Sequence, residues 1–399
     1  MAKFITSIDP GDHTVKIVVV KDNGRGAYPE IVTAIKQESH GFRKGNIVDP
    51  DDARESVRRA IARAEKIIGQ RIRRVHLVVD GAGLSSQIVD ASTVVSRGDS
   101  EVADYDVRHL FEAAELKVQD LANRTIIDTL PIGYKLDGKK VIGHPEKMHG
   151  AKLEGRILFV TCLTRQLNDL VEACDRAGVS IISTIPSPIA GSIVSLSKEQ
   201  KYAGCALVDI GAETTKIAVY EDGMLHSIQT FDIGSQDVTN DIALGLKIDI
   251  AEAESIKREL GSQIATQKRL IEIIEARLSD IFELINDHLK KLGRSELLPA
   301  GVTIVGGGAF ITRIDAFASR ALSLSARLAS PLYPQYLRSH AEGTRDLERL
   351  YLKDPIFAAS YGLAILGLEG ADDHVLKNLR ARGKPVFGGL ARVLKLFLP

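Results

Sequence analysis

One pattern occurs twice in the sequence, and this repeat most limits the folds that the chain can adopt. Residues 8–22 read IDPGDHTVKIVVVKD and residues 208–222 read VDIGAETTKIAVYED, with seven identities in fifteen aligned positions and no gap. In each copy, two runs rich in β-branched residues flank a short turn that contains glycine, which is typical of a β-hairpin. Equivalent hairpins spaced two hundred residues apart indicate a duplicated, two-lobed architecture.

Each turn has the composition of a phosphate-binding loop. Gly11 and Gly211 admit backbone angles closed to other residues, so that successive N–H groups can converge on an anion. Hydroxyl donors are supplied by Thr14, Thr214 and Thr215. Two such turns facing each other would enclose a polyphosphate, with Asp9 and Asp209 orienting its Mg²⁺ through water. Two ordinary hairpins are the alternative, and the repetition in register favours the phosphate interpretation.

Length and charge restrict the class of protein further. A chain of 399 residues is too long for one ordinary core, so two domains are expected. Because 52 Lys and Arg balance 52 Asp and Glu, no overall field favours nucleic acid as a partner. The three cysteines lack metal-ligand spacing and suit a reducing cytosol; they are Cys162, Cys174 and Cys205. Since no signal-peptide core and no apolar run of about 20 residues is found, we expect a cytosolic protein.

The first half of the chain has the order of an RNase H-like lobe that is interrupted by an insertion. A third strand (29–37), a helix that Asp49 and Pro50 open, and a buried strand (75–79) follow the first hairpin. The closing elements come later, at residues 165–177, 179–185 and 188–197. We therefore expect the first lobe at 1–82 and 163–200. A small inserted α+β subdomain at 83–162 would contain strands near 85–95, 126–135 and 153–160 and a helix at 105–117.

The second half repeats this theme. A hairpin over 206–231 is followed by helices at 250–260 and 267–292. Residues 301–308, GVTIVGGG, then form a strand that runs into three glycines, and 355–368 form a buried helix. These glycines either admit a ligand at the next helix or make a tight packing turn. We expect the second lobe at 201–248 and 296–370, with a mostly helical subdomain at 249–295.

The C-terminal stretch has a different composition. Residues 386–398 read VFGGLARVLKLFL. On a helical wheel Phe387, Leu390, Val393, Leu394 and Phe397 share one face, whereas Arg392 and Lys395 lie off it. A helix of this kind can lie in an anionic membrane interface, or it can dock on its own domain. The basic, glycine-containing segment 380–384 favours a detachable membrane-targeting helix at 386–399, joined by a short linker at 371–385.

Motifs elsewhere in the chain extend the pattern beyond the hairpins. They are SHG at 39–41 with Gly45 and Asp49, LPIGYKLDG at 130–138, VTNDIA at 238–243, AEAESIK at 251–257 and TIVGGGAFI at 303–311. Together with the two hairpins, they closely resemble the bacterial FtsA family of the actin, Hsp70 and sugar kinase superfamily. The resemblance implies an actin-like α/β fold of two RNase H-like lobes, with an inserted subdomain 1C (an SHS2 domain) in the first lobe.

The resemblance also implies a site for ATP and Mg²⁺ between the lobes. Its two phosphate loops would contain Gly11, Asp12, His13, Thr14, Lys16, Gly211, Ala212, Thr214 and Thr215. Its nucleoside side would contain Gly234, Glu254, Lys257, Gly306, Gly307, Gly308 and Phe310. Spacing by three residues puts Glu254 and Lys257 on one helical face. Asp9 and Asp209 would act in catalysis and hold Mg²⁺ through water, and hydrolysis would be at most slow and regulatory.

The partners implied by the resemblance are those of a membrane-bound cytoskeletal adaptor. The chain would form filaments with itself and bind the tail of the tubulin-like protein FtsZ, anionic lipid and downstream division proteins. It would act at the division site, on the cytoplasmic face of the membrane. Subdomain 2B is much reduced between Gly261 and Glu275, which bears on FtsZ docking. The alternatives are an adaptor similar to PilM of type IV pilus machines and a small-molecule phosphotransferase, for which no base is evident.

Three loop residues depart from the usual family pattern. Asp12 and His13 occupy the first loop, where small or hydroxyl residues are usual, and Glu213 occupies the second, where glycine is common. Extra negative charge beside phosphates is unfavourable unless a cation offsets it, so nucleotide affinity is expected to be weak. Alternatively, Glu213 positions an attacking water and joins the catalytic residues.

Overall fold

The computed structural model describes residues 3–22, 30–96, 98–259, 268–330 and 354–368. The strands are β1 (Lys3–Pro10), β2 (Thr14–Asp22), β3 (Glu30–Glu38), β4 (Phe42–Arg43), β5 (Asn46–Ile47), β6 (Arg74–Val79), β7 (Ser85–Val94), β8 (Arg124–Leu136), β9 (Lys139–Val141), β10 (Lys152–Leu163), β11 (Ser180–Pro186), β12 (Cys205–Ile210), β13 (Thr215–Glu221), β14 (Met224–Phe231), β15 (Val302–Val305) and β16 (Ala326–Leu328). The α-helices are α1 (Pro50–Ile68), α2 (Asp104–Glu115), α3 (Thr164–Arg176), α4 (Ser187–Ser195), α5 (Lys198–Ala203), α6 (Ser235–Leu246), α7 (Ile250–Glu259), α8 (Lys268–Lys291), α9 (Ile314–Leu322) and α10 (Ala358–Leu368). Short 3₁₀ helices lie at Leu121–Asn123, Gly307–Phe310 and Pro355–Phe357.

The first lobe is built on a five-stranded sheet of order β11-β6-β1-β2-β3. β1 to β3 are antiparallel neighbours, whereas β6 and β11 run parallel to β1. Helix α1 begins where the sequence predicts, because the Asp49 side chain accepts hydrogen bonds from the N–H groups of Asp51 and Asp52 and Pro50 occupies the first turn. Its buried face (Ala53, Val57, Ala60, Ile61 and Ala64) packs on the sheet.

The insertion forms a small α/β unit. Its strands have the order β7-β10-β8-β9, and α2 covers one face, with a core that includes Leu110, Leu153, Ile157 and Phe159. The three predicted strands and the predicted helix are confirmed. Strand β9 was not predicted; it follows a tight turn at Asp137 and Gly138, both with positive φ, which is the hairpin geometry that an Asp-Gly pair favours.

The second lobe repeats the first in its central strands. β12 pairs antiparallel with β13 and parallel with β15, as β1 pairs with β2 and β6. The predicted hairpin over 206–231 contains three strands, because Asp222 and Gly223 (φ 52° and 76°) make a second tight turn. Helix α8 has the predicted apolar stripe; its buried members are Leu270, Ile274, Leu278, Ile281, Phe282, Ile285 and Leu289.

The two lobes and the insertion form one continuous body. β14 of the second lobe bridges to β7 of the insertion at Gln229 and Ser85, so that one nine-stranded sheet spans both. Helix α10 returns to pack against α4 and β1. Leu207, Ala190 and Leu363 therefore share one core cluster. Among the described residues, no helix combines the length and the apolar character required to cross a bilayer.

Candidate functional site

The two repeated turns have the same backbone geometry. In the first, the N–H of Gly11 donates to the carbonyl of Thr14 (3.1 Å), and in the second, the N–H of Gly211 donates to the carbonyl of Thr214 (2.8 Å). Neither glycine has a positive φ, so the expected reason for glycine is wrong. A Cβ would lie 3.0 Å from the Thr14 carbonyl at Gly11 and 2.9 Å from the Thr214 carbonyl at Gly211. Glycine is required here for close packing of the turn.

Both turns face one cavity of about 390 Å³ between the lobes, which is within the usual size range of ligand pockets. Of the sequence-predicted residues, the structure brings together around this cavity Asp9, Gly11, Asp12, His13, Thr14, Lys16, Asp209, Gly211, Ala212, Thr214, Glu254, Lys257, Gly306, Gly307 and Phe310. Asp9 and Asp209 thus lie on opposite walls of one cleft, the arrangement that the repeat predicts.

Two buried lysines stand behind the turns. Lys16 Nζ lies 2.7 Å from Asp9 Oδ2, within the first lobe. Lys216 Nζ crosses between the lobes and lies 2.7 Å from Asp80 Oδ2 and 3.7 Å from Asp209 Oδ2. Burial alone would lower the pKa of Lys216, but the two carboxylates outweigh it and raise this pKa well above its usual value. Both lysines are thus held as cations.

Carboxylates outnumber lysines next to the turns. Asp9, Asp12, Asp80 and Asp209 line the cavity together with Lys16, Lys36 and Lys216. Burial raises the pKa of Asp209, against the attraction of Lys216. Burial also raises the pKa of Asp12 to about 6, despite a hydrogen bond from the N–H of Gly45 that opposes the rise. An anionic ligand would therefore need an accompanying cation.

No ready-made metal cluster was found: the described ranges hold no group of three or more His, Cys, Asp or Glu side chains arranged as metal ligands. The donor set nevertheless fits a Mg²⁺ ion that enters with phosphates, because Mg²⁺ is commonly bound through one or two carboxylates, substrate oxygens and retained water. Asp9, Asp80 and Asp209 are the carboxylates that could orient such an ion.

Another part of the cavity wall is formed by α7 and the glycine-rich turn after β15, where Gly306 packs against Asp209. Lys257 Nζ lies 2.6 Å from Glu254 Oε2 and donates to Thr239 Oγ1 (2.7 Å) and the Ser235 carbonyl (3.1 Å). Although burial raises it, hydrogen bonds from Lys257 and Thr239 lower the pKa of Glu254 to about 2. Phe310 ends the 3₁₀ helix, lines the same cavity and is 55% exposed. The cavity lining thus contains a flat apolar ring as well as fixed charges.

Four predicted residues do not line the cavity. Thr215 Oγ1 donates to the carbonyl of Ile233, and Gly234 and Gly308 pack against Ala212 and Ile210. Glu213 Oε2 accepts a hydrogen bond from the N–H of Lys44 in the other lobe (2.9 Å). In this structure the Glu213 carboxylate therefore bonds protein backbone.

Five charged residues of the cavity lining were not singled out from the sequence: Lys36, Asp80, Lys216, Arg258 and Asp354. Lys216 is the in-register twin of Lys16, so the repeat itself contained the signal. Asp80 directly follows β6, a parallel neighbour of β1, and ends of neighbouring parallel strands meet at the same sheet edge. The predicted membrane-binding residues (Phe387, Leu390, Arg392, Val393, Leu394, Lys395 and Phe397) and the linker before them lie outside the described residues.

Paired α/β lobes with an insertion in the first and a cleft between equivalent turns define an actin-like protein. The family model for the cell division protein FtsA matches residues 206–362, and the model for the SHS2 domain inserted in FtsA matches residues 81–161. The chain belongs to the FtsA family of cell division proteins.

Individual relatives agree with this assignment. The cell division protein FtsA of Bacillus subtilis (strain 168) is 31% identical over 362 residues, which cover 84% of this chain and 81% of the relative. The FtsA of Pseudomonas aeruginosa is 26% identical over 393 residues, covering 93% and 91%. Among solved structures, a PilM–PilN type IV pilus biogenesis complex matches with a TM-score of 0.68 at 18% identity, covering 91% of this chain and 98% of that chain. This last likeness concerns the fold alone.

Proposed function

We propose that the chain binds ATP with Mg²⁺ between its lobes and works as a membrane-associated, filament-forming protein of cell division. One observation carries the nucleotide part of the proposal: two equivalent glycine turns face a single cavity from opposite lobes. Lys16 and Lys216 stand beside the turns as cations that can offset phosphate charge. The cavity volume, about 390 Å³, suits a nucleotide-sized ligand.

Different residues of the cavity lining suit the different parts of a nucleotide. The phosphates would lie between Gly11 and Gly211, with Mg²⁺ offsetting the surrounding carboxylates. The ribose would face Glu254 and Lys257, whose positions are fixed by their ion pair. The base would then lie near Phe310, whose exposed ring is available for stacking.

The cellular part of the proposal comes from family membership. The relatives are cell division proteins, and we infer the same process for this chain. On the cytoplasmic face of the membrane at the division site, it would assemble with copies of itself, bind FtsZ and contact downstream division proteins. The C-terminal helix predicted at 386–399 would attach it to anionic lipid. The PilM-like alternative has only the fold in its favour, whereas the sequence matches favour division.

Substitution of Phe310 tests the orientation of ATP in the cavity. Because the ring is exposed, Phe310→Ala should leave the melting temperature of the free protein nearly unchanged. Loss of a stacking partner, worth about 1–3 kcal/mol per base, should weaken MgATP binding by a factor of roughly 5 to 150. Calorimetric titration should measure MgATP and inorganic triphosphate in parallel, and the affinity for triphosphate should hardly change.

Tyr202→Ala is the matched control, since Tyr202 is an exposed aromatic residue that does not line the cavity. Equal affinity of Phe310→Ala and the unmodified protein for MgATP would rule out a base beside Phe310. If the unmodified protein shows no binding at millimolar MgATP, the nucleotide proposal itself fails.

A further inference from the structure

The tight turn between β4 and β5 contacts both lobes at the cavity. Lys44 and Gly45 are its two central residues, and both have positive φ (49° and 72°), as this type of hairpin requires. Their N–H groups donate to two different carboxylates. Lys44 N–H donates to Glu213 Oε2 (2.9 Å) and Gly45 N–H donates to Asp12 Oδ1 (2.7 Å). The two acids that depart from the family pattern therefore bind consecutive backbone groups of one turn.

The turn is built firmly into the first lobe. The carbonyl of Lys44 accepts from the N–H of Ala82 (3.1 Å), and the carbonyl of Gly45 accepts from Gln166 Nε2 (2.7 Å). Gln166 also donates to the carbonyl of Asp80, which anchors the turn beside the Lys216 ion pair. A side chain at Gly45 would collide with the backbone of Gly81. Movement of this turn relative to the first lobe is thus strongly restricted.

The contacts of the turn with the second lobe are of another kind. The Glu213 hydrogen bond spans the cleft, and Lys44 Nζ lies 3.7 Å from Asp232 Oδ2 at the exposed rim. An exposed ion pair contributes little free energy, whereas a partly buried hydrogen bond to a charged acceptor contributes more. Separation of the lobes would break the Glu213 contact and leave the Asp12 contact intact, because Asp12 and Gly45 lie in the same lobe.

We propose that Glu213 and the Lys44–Gly45 turn form a latch between the lobes, in which Glu213 is a positioning residue that favours the closed, ligand-binding arrangement. The ligand part rests on the proposed binding of MgATP. By thermodynamic linkage, a ligand held by both lobes should strengthen the latch, and loss of the latch should weaken binding. The charge of Glu213 acts in the opposite direction, since it repels phosphates.

The variants Glu213→Gln and Glu213→Ala separate these two effects. Gln lacks the charge but keeps an oxygen that can accept from Lys44 N–H, whereas Ala lacks both. We expect Glu213→Gln to bind MgATP at least as tightly as the unmodified protein. Glu213→Ala should bind MgATP about five- to tenfold more weakly than Glu213→Gln, since both lack the charge and only Gln can accept the hydrogen bond from Lys44 N–H. Equal affinities of the two variants would overturn the coupling.

Hydrogen exchange of the full chain tests the latch without any ligand. In peptides that cover residues 42–47, Glu213→Ala should exchange about tenfold faster at one amide, that of Lys44. Glu213→Gln should remain close to the unmodified protein, and so should Glu283→Ala, an exposed acid on α8. Unchanged exchange in Glu213→Ala would overturn the latch. Saturating MgATP should slow exchange at the Lys44 amide in the unmodified protein. Absence of MgATP binding would refute the proposed function, while the exchange measured without ligand would still decide whether the latch exists.

Discussion

Replacement of Asp12 by Asn should stabilise the protein in a way that depends on pH. Burial raises the pKa of Asp12 from 3.8 to about 6 in the folded protein. The folded state therefore holds this proton more tightly than the unfolded state, and stability falls as pH rises between about 4 and 6. The destabilisation of the folded protein by ionised Asp12 is fully present above about pH 7. Asn stays neutral at every pH and can still accept the hydrogen bond from Gly45 N–H through its Oδ1.

The size of the effect follows from the shift. A difference of about two pKa units between the folded and unfolded states corresponds to a loss of about 3 kcal/mol in the free energy of unfolding above pH 7, and roughly half of this loss is left at pH 5. For a chain of this length, about 3 kcal/mol corresponds to a rise in melting temperature of roughly 3 °C. The informative quantity is how the difference in melting temperature between Asp12→Asn and the unmodified protein changes with pH, because any pH-independent effect of the new amide cancels.

Differential scanning fluorimetry of Asp12→Asn and of the unmodified protein between pH 5 and pH 8 would measure this change in the melting-temperature difference. The advantage of Asp12→Asn should shrink as the pH is lowered. Glu283→Gln removes one exposed acid from α8 and serves as the control, for which we expect no such trend. An advantage of Asp12→Asn that is constant from pH 5 to pH 8 would refute the reasoning, because it would place the Asp12 pKa near its ordinary value.

Three further experiments test separate parts of the account. Phe387→Glu combined with Leu394→Glu should abolish co-sedimentation with anionic vesicles. The control, Gly388→Glu with Ala391→Glu, makes the same charge change off the apolar face and should weaken co-sedimentation less. Vesicle binding retained by the first variant would mean that the C-terminal segment does not attach the protein to the membrane. With MgATP on anionic lipid monolayers, electron microscopy should show filaments that recruit an FtsZ tail peptide, and persistent monomers would contradict assembly. Burial raises the pKa of each cysteine thiol (Cys162, Cys174 and Cys205) to about 12. The native protein should therefore resist thiol reagents at pH 8, whereas the unfolded protein should react at three sites. Rapid labelling of the native protein would contradict the burial of these thiols.

The fold was predictable where local pattern decides it. The repeated hairpins, the Asp49 cap and the apolar stripe of α8 are all signals within short windows, and each corresponds to an observed element. Strands β9 and β14 were not predicted as separate strands, although each follows an Asp-Gly turn, which favours a hairpin. Register within the site was predictable for the same reason, since the twin hairpins pair Asp9 with Lys16 and Asp209 with Lys216.

Contacts between distant segments could not be predicted in the same way. The ion pair of Asp80 with Lys216 and the hydrogen bond of Glu213 with Lys44 depend on how two lobes close on each other, which no local periodicity encodes. The sequence therefore suggested that Glu213 lies beside the phosphates or positions an attacking water. In the structure its carboxylate instead accepts a hydrogen bond from the backbone N–H of Lys44. The SHG motif and Gly45 belonged to the family pattern without an evident role, and the packing of Gly45 against Gly81 gives a physical reason for that glycine.

A crystal structure of the chain grown with ATP and Mg²⁺ would test the central claim most directly. The account predicts one nucleotide between the lobes, with its phosphates beside Gly11 and Gly211 and its base toward Phe310. Nucleotide bound elsewhere, or an empty cleft at saturating MgATP, would contradict it.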